Sequence, residues 1–137
     1  MTIAFTGGGT GGHFYPIVAI AEALQDLVRE EHLIEPKLYY PNIFDEKALY
    51  ENGITYVHIG AGKSRRYFSL KNFTDLFVSF AGLTKALLTL YRIYPDVVVS
   101  KGGYGSVPTV IAARLLDIPI IIHESDAKPG RGSLLAA

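Results

Sequence analysis

Residues 3–16 read Ile-Ala-Phe-Thr-Gly-Gly-Gly-Thr-Gly-Gly-His-Phe-Tyr-Pro, and they leave the chain few ways to fold. A short apolar run, Ile3 to Phe5, stops at a stretch, Gly7 to Gly12, that is glycine everywhere except Thr10; His13 and Pro16 follow, and an amphipathic repeat begins. This order predicts a strand, a tight loop and a helix with proline in its first turn. Glycine tolerates positive φ and lets backbone come close to a ligand, while a helix start offers unpaired N–H groups and partial positive charge. The loop is therefore expected to hold an anion, phosphate above all, with Thr10 and His13 beside whatever carries it. The alternative, a turn that merely closes strand onto helix, would cost backbone entropy at every glycine with no packing in return.

The remaining chain alternates in the same way. Ile17, Ile20, Ala21, Leu24, Leu27 and Val28 recur at helical spacing, opposite Glu22, Gln25, Asp26 and Arg29. Residues 37–40 and 54–59 read as strands either side of a short helix at 44–50, which Asn52-Gly53 stops. A loop at 60–71 leads into a long helix at 72–93, with Phe73, Leu76, Phe77, Phe80, Leu83, Leu87, Leu88, Leu90 and Tyr91 on one broad stripe and Pro95 as its stop. A buried strand at 97–99, a glycine loop at 102–108, a helix at 107–116 and a strand at 118–122 complete the series. Alternation of this kind predicts an α/β fold, a Rossmann-like doubly wound parallel sheet with ligands at the carboxyl ends of its strands. At 137 residues the chain reads as a single domain, 1–137. The loops after strands one, four and five then fall at one site.

Composition removes several classes. Thirteen basic and thirteen acidic residues cancel, which points away from nucleic acid. Without cysteine there is no disulfide framework, thiol nucleophile or cysteine metal site. No carboxylate or histidine pair has ligand spacing on a helix face, so no metal is expected. The chain enters a strand at once, leaving no room for a signal peptide, and its charge-free stretch at 76–84 is too short to span a bilayer. A soluble or peripheral cytoplasmic protein is the expectation.

The phosphate carrier is narrowed by what the loops lack. A dinucleotide fold would carry an acid at the end of its second strand, where this chain has Leu38-Tyr39-Tyr40-Pro41. Gly62-Lys63-Ser64 resembles the tail of a Walker loop, but Val57 stands where its first glycine belongs. No cofactor is expected. The second loop, Lys101-Gly102-Gly103-Tyr104-Gly105-Ser106-Val107-Pro108, again joins a strand to a helix start. Two such loops at neighbouring strand ends would clamp a diphosphate between two helix dipoles; the other reading is a tight turn under Tyr104. The third stretch, His123-Glu124-Ser125-Asp126, puts a histidine and two carboxylates after a buried strand, with Glu124 either lining the cleft or bonding backbone N–H groups nearby.

Taken in order, Gly-Gly-Gly-Thr-Gly-Gly-His-x-x-Pro (7–16), Pro-Asp-Val-Val (95–98), Gly-Gly-Tyr-x-Ser-x-Pro (102–108), Ala-Ala (112–113), His-Glu (123–124) and Pro-Gly (129–130) closely resemble the N-terminal domain of the MurG family, the peptidoglycan N-acetylglucosaminyltransferases. The resemblance covers essentially the whole chain. It implies one half of a GT-B glycosyltransferase that transfers GlcNAc from UDP-GlcNAc, with inversion, to undecaprenyl-diphospho-MurNAc-pentapeptide on the cytoplasmic face of the bacterial plasma membrane. It further implies that Thr10, Gly11 and Gly12 face the cleft and that His13 is the candidate base. Gly102, Gly103, Tyr104 and Ser106 would contact the acceptor diphosphate, and His123 and Glu124 would line the cleft, with Glu124 a second catalytic candidate beside His13. The family's His-Glu-Gln-Asn reads His-Glu-Ser-Asp here, so Asp126 would accept from a sugar hydroxyl but not donate. The family pattern continues beyond Ala137 into a donor-binding half, so this chain alone is expected to hold acceptor weakly and catalyse little or nothing.

Loop 63–71 mixes Lys63, Arg65, Arg66 and Lys71 with Tyr67, Phe68 and Leu70. Cations beside apolar side chains suit an anionic membrane surface, which the resemblance also implies; the other reading is a solvated basic loop. A competing function is a non-catalytic subunit that anchors the catalytic partner of a split GT-B enzyme.

Overall fold

The structure, a computed structural model, describes residues 1–8, 10–41, 44–57 and 71–123, the side chains of 71–80 and of Tyr104 excepted. In chain order the elements are β1 (Thr2–Thr6), α1 (Gly11–Glu30), β2 (Lys37–Tyr40), α2 (Glu46–Glu51), β3 (Ile54–Tyr56), α3 (Lys71–Ile93), β4 (Val97–Ser100), α4 (Val107–Leu115) and β5 (Ile120–Ile122). The strands form one sheet in the order β3-β2-β1-β4-β5, and every pairing is parallel. The chain builds outward from β1 on one side and then returns to build from β1 on the other. In open α/β sheets the ligand crevice ordinarily lies at such a reversal, which here is at the carboxyl ends of β1 and β4.

Alternation along β1 divides the core between two faces. Ile3 and Phe5, with Leu38, Tyr40 and Val99, pack against Phe14, Ile17, Val18 and Ala21 of α1 and Leu49 of α2. Phe14 and Ile17 are wholly buried, and each contributes roughly 2 kcal/mol by leaving water. Ala4 and Val98 face the other way, onto Ala86 and Leu90 of α3 and Ala112 and Ala113 of α4. Small residues here let the helices lie close to the sheet. The start of β4 is fastened to β1 by Asp96, whose N–H donates to the Thr2 carbonyl (2.8 Å) and whose carboxylate accepts the Thr2 N–H (2.6 Å).

The expected alternation is present, with local differences: α2 begins at Glu46 and β5 at Ile120, each two residues later than expected, and three others bear on the site or the core. Helix α1 begins at Gly11, so Pro16 lies inside it and not in its first turn. The Thr10 carbonyl accepts from the N–H groups of His13 (3.0 Å) and Phe14 (3.1 Å), which winds Gly11 and Gly12 into the helix. Strand β3 is shorter than its apolar run, although the Val57 N–H still donates to the Tyr40 carbonyl (2.9 Å). On α3, Leu88 and Tyr91 are 54% and 67% exposed, because the buried stripe runs through Leu83, Ala86, Leu87 and Leu90 and one helix face holds no more.

Three long helices end on non-glycine residues in the left-handed region: His32 (φ 52°), Tyr94 (φ 40°) and Asp117 (φ 54°). Leu33 N–H to Val28 O and Ile118 N–H to Ala113 O close α1 and α4 as Schellman caps, in which glycine is the usual residue. Tyr94 is the least suited, being aromatic and 63% exposed. Tyr94→Gly is expected to raise stability by about 1 kcal/mol and the thermal midpoint by about 4 °C, read by thermal unfolding.

Candidate active site

At the crevice Thr6 of β1 pairs with Ser100 of β4, and the Lys101 N–H donates to the Thr6 carbonyl (2.9 Å). Each strand then runs into a glycine loop, and the two loops meet around one side chain, His13. Its Nδ1 lies 2.7 Å from Thr10 Oγ1. A Cβ placed on Gly8 would stand 2.9 Å from Nδ1 and 3.2 Å from Cγ and Cε1. A Cβ on Gly103 would stand 2.9 Å from Nε2 and 3.1 Å from the Cα and N of Gly8. The imidazole therefore lies against both loops at distances that only glycine allows, and Gly103 also has φ +82°. When Nδ1–H donates to Thr10 Oγ1, the lone pair is on Nε2, the tautomer a base at Nε2 requires.

Thr10 occupies the N-cap of α1 with extended backbone (φ −122°, ψ 155°), yet its side chain makes no capping bond. Its hydroxyl is directed to His13 instead. The N–H groups of Gly11 and Gly12 open the helix, where no intrahelical acceptor exists for them. A Cβ on Gly12 would meet nothing within 4 Å. Neither α1 nor α4 has an acidic residue in its first turn, where the helix dipole would favour one. The N-terminal charge of α1 is thus left for another anion, whereas α4 is continued backwards by a 3₁₀ turn and has Pro108, which lacks an N–H, as its second residue.

The second loop is held from within. Gly102 and Gly103 turn through φ 78° and 82°, and the Gly102 N–H donates to Ser100 Oγ (3.2 Å). Tyr104 begins a 3₁₀ turn ending at Ser106, whose buried hydroxyl donates to the Gly103 carbonyl (2.8 Å). Ser106 thus braces the loop. The exposed His123 follows β5, its N–H donating to the Ser100 carbonyl (2.8 Å), so the third stretch leaves the sheet beside the second loop. Glu124 and Asp126 lie outside the described residues, as do Arg65, Arg66, Tyr67, Phe68 and Leu70; Lys71 is the first residue of α3.

The structure therefore brings Thr10, His13 and Gly103 together and places Gly11 and Gly12 in the adjoining turn. It adds residues that the motifs did not single out. Gly8 earns its place by the His13 ring alone. Lys101, only 4% exposed, has its Cβ 3.5 Å from where a Gly7 Cβ would be, so its side chain packs at the base of the first loop. A lysine two residues after the apolar Val97–Val99 run, beyond Ser100, was the available signal. Among the described residues no helix is long and apolar enough to cross a membrane.

The chain is 43% identical over 98% of its length to the UDP-N-acetylglucosamine–N-acetylmuramyl-(pentapeptide) pyrophosphoryl-undecaprenol N-acetylglucosamine transferase of Clostridium botulinum. It is 43% identical over 93% of its length to the protein of the same name from Borreliella afzelii. It spans 37% and 35% of those relatives, little more than a third. The crystal structure of Acinetobacter baumannii MurG superposes with a TM-score of 0.74 at 26% identity, covering 98% of this chain and 38% of that one. A UDP-GlcNAc 2-epimerase from Neisseria meningitidis shares the fold, with a TM-score of 0.59 at 13% identity over 99% of this chain and 38% of that one. The Rossmann-like sheet is thus one half of a GT-B architecture. Since the model of the glycosyltransferase family 28 N-terminal domain also matches residues 3–135, the chain belongs to that family.

Proposed function

We propose that this domain is the acceptor-binding half of an inverting N-acetylglucosaminyltransferase that moves GlcNAc from UDP-GlcNAc to undecaprenyl-diphospho-MurNAc-pentapeptide. The observation that carries the reading is the meeting of two glycine loops on His13 at the β1/β4 crevice. The acceptor diphosphate would sit against the opening N–H groups of α1 and the backbone of the second glycine loop. Gly102, Gly103 and Tyr104 would line the second loop's side of that site, shaped by Ser106. His123, Glu124 and Asp126 would close the cleft from the end of β5.

In the transfer step the acceptor hydroxyl oxygen bonds to the anomeric carbon of GlcNAc as the bond from that carbon to the UDP oxygen breaks. UDP leaves with the electron pair, and His13 Nε2 takes the hydroxyl proton. Attack from the face opposite UDP inverts the anomeric centre. Thr10 Oγ1 would accept from His13 Nδ1–H in the tautomer that keeps the lone pair on Nε2. Residues 63–71 would rest on the cytoplasmic face of the plasma membrane, basic side chains at head groups and Tyr67, Phe68 and Leu70 dipping below.

The deciding experiment is transfer of labelled GlcNAc to a lipid-diphosphate acceptor, with the chain alone and with a complementing C-terminal half. Activity only with the complement supports the reading. No activity with a half that associates, together with binding to anionic vesicles, would leave an anchoring subunit in its place.

Gly12 gives an independent check. Nothing in the fold requires glycine there, so Gly12→Ala is expected to stabilise the domain by about 0.5–1 kcal/mol. The same methyl would stand over the open turn, so pyrophosphate should bind several-fold more weakly. Thermal unfolding with and without pyrophosphate reads both effects, and unchanged binding would remove the α1 turn from the diphosphate site.

A further inference from the structure

We propose that Tyr15 and Phe44 form an aromatic shelf that receives the pyranose ring attached to the bound diphosphate; the proposal rests on the diphosphate reading of the glycine loops. Four rings cluster beside the first turn of α1. Phe14, wholly buried, meets Tyr15 edge-on (5.4 Å between centroids, 76°) and packs at a tilt against Tyr40 (5.7 Å) and Phe44 (5.3 Å). Tyr15 and Phe44 meet edge to face at 5.9 Å and 84°. The inner two rings are core, but Tyr15 is 54% and Phe44 45% exposed. The outer rings are thus fixed from behind and open in front.

Gly11 explains how they lie. A Cβ there would stand 3.3 Å from Phe44 Cζ and 3.4 Å from Tyr15 Cε2, so both rings lie over the Gly11 backbone, and a methyl would touch Tyr15 and press slightly on Phe44. With glycine they settle on the backbone of the turn that carries His13 and the open Gly12. An apolar surface thereby adjoins N–H groups ready for an anion.

The occupant follows from that adjacency. A pyranose has one face lined by C–H bonds and a rim of hydroxyls, which suits an aromatic face with a phenol at its edge. Bonded directly to the diphosphate, it falls one ring's width from the phosphates. A nucleobase would be carried further off by its ribose, and a long isoprenoid needs more apolar surface than two rings supply. Tyr15 and Phe44 are thus positioning residues for the sugar, separate from the base.

The test is a chemical-shift titration of the ¹⁵N-labelled chain with three probes: inorganic pyrophosphate, citronellyl diphosphate and citronellyl-diphospho-MurNAc. Tyr15→Ala and Phe44→Ala should each weaken the muramyl probe about fivefold to tenfold and leave the other two unchanged. Tyr15→Phe, which keeps the ring, should retain most of the affinity and guards against a folding artefact. Equal weakening of citronellyl diphosphate would assign the rings to the prenyl chain and overturn the proposal, as would unchanged affinity for the muramyl probe. Should the unaltered chain bind none of the three, pyrophosphate included, the reading of the loops fails first and the shelf with it. Pyrophosphate binding without any gain from the sugar would sink the shelf alone.

Discussion

Replacing His13 with alanine is expected to lower GlcNAc transfer by about 10²–10⁴-fold when the donor-binding half is present, with little change in KM for UDP-GlcNAc. The size follows from removing the group that accepts the proton as the new bond forms, a contribution made in the transition state and not in substrate binding. Because the ring also lies between two loops, alanine removes packing as well as basicity. His13→Gln separates the two, since its amide fills much of the same space and can hydrogen-bond without taking a proton at neutral pH. Both variants should be equally slow. Recovery by glutamine would make His13 a brace between loops, and a loss below tenfold for alanine would send the search for the base to Glu124. Thr10→Val should lower kcat by a smaller factor, since it frees the ring without removing it.

The second large effect is on the fold itself. Gly103→Ala should destabilise the domain by about 2 kcal/mol, lowering the thermal midpoint by roughly 8 °C, and should abolish measurable pyrophosphate binding. Its φ of +82° is strained for any residue with a Cβ. Two of the three atoms the methyl would meet belong to the Gly8 backbone, which cannot swing aside as a side chain can. Relief requires the loops to part, and parting them removes the contact that defines the site. Set beside Gly12→Ala, the same chemical change a few ångströms away should carry the opposite sign in stability. Equal effects in unfolding measurements would mean that the loop contact is not what glycine serves at 103.

How much of this was legible in the sequence depends on how local each signal was. The alternation of strands and helices was readable because a buried parallel strand such as Val97–Val99 and an amphipathic run such as Ile17–Val28 each announce themselves within a few residues. The start of α1 was misplaced for the same reason. Pro16 is a strong local marker of a first turn, but the two bonds to the Thr10 carbonyl draw the helix back to Gly11. On α3, listing every apolar residue made a stripe wider than one face, so Leu88 and Tyr91 were placed on it although they are exposed. The motifs located both glycine loops, yet nothing near His13 in sequence indicates that its Nε2 would face Gly103. That contact depends on β4 docking beside β1, a pairing fixed at its other end by Asp96 and Thr2. Tyr15 and Phe44 were hidden similarly, since a half-exposed ring and a core ring look alike in a string of letters.

Thr10 holds one more implication. A threonine at an N-cap ordinarily stabilises its helix by about 1 kcal/mol through the bond its hydroxyl accepts from the first turn. Here that oxygen is turned toward the imidazole, so α1 begins without its customary end-stop. The opening residues of the helix should fray more readily than its interior, and their amide hydrogens should exchange with solvent correspondingly fast. A phosphate oxygen arriving at those N–H groups would act as the absent cap. Ligand binding would then steady a turn that is already wound, and amide exchange at Gly11 and Gly12 should slow when pyrophosphate is added.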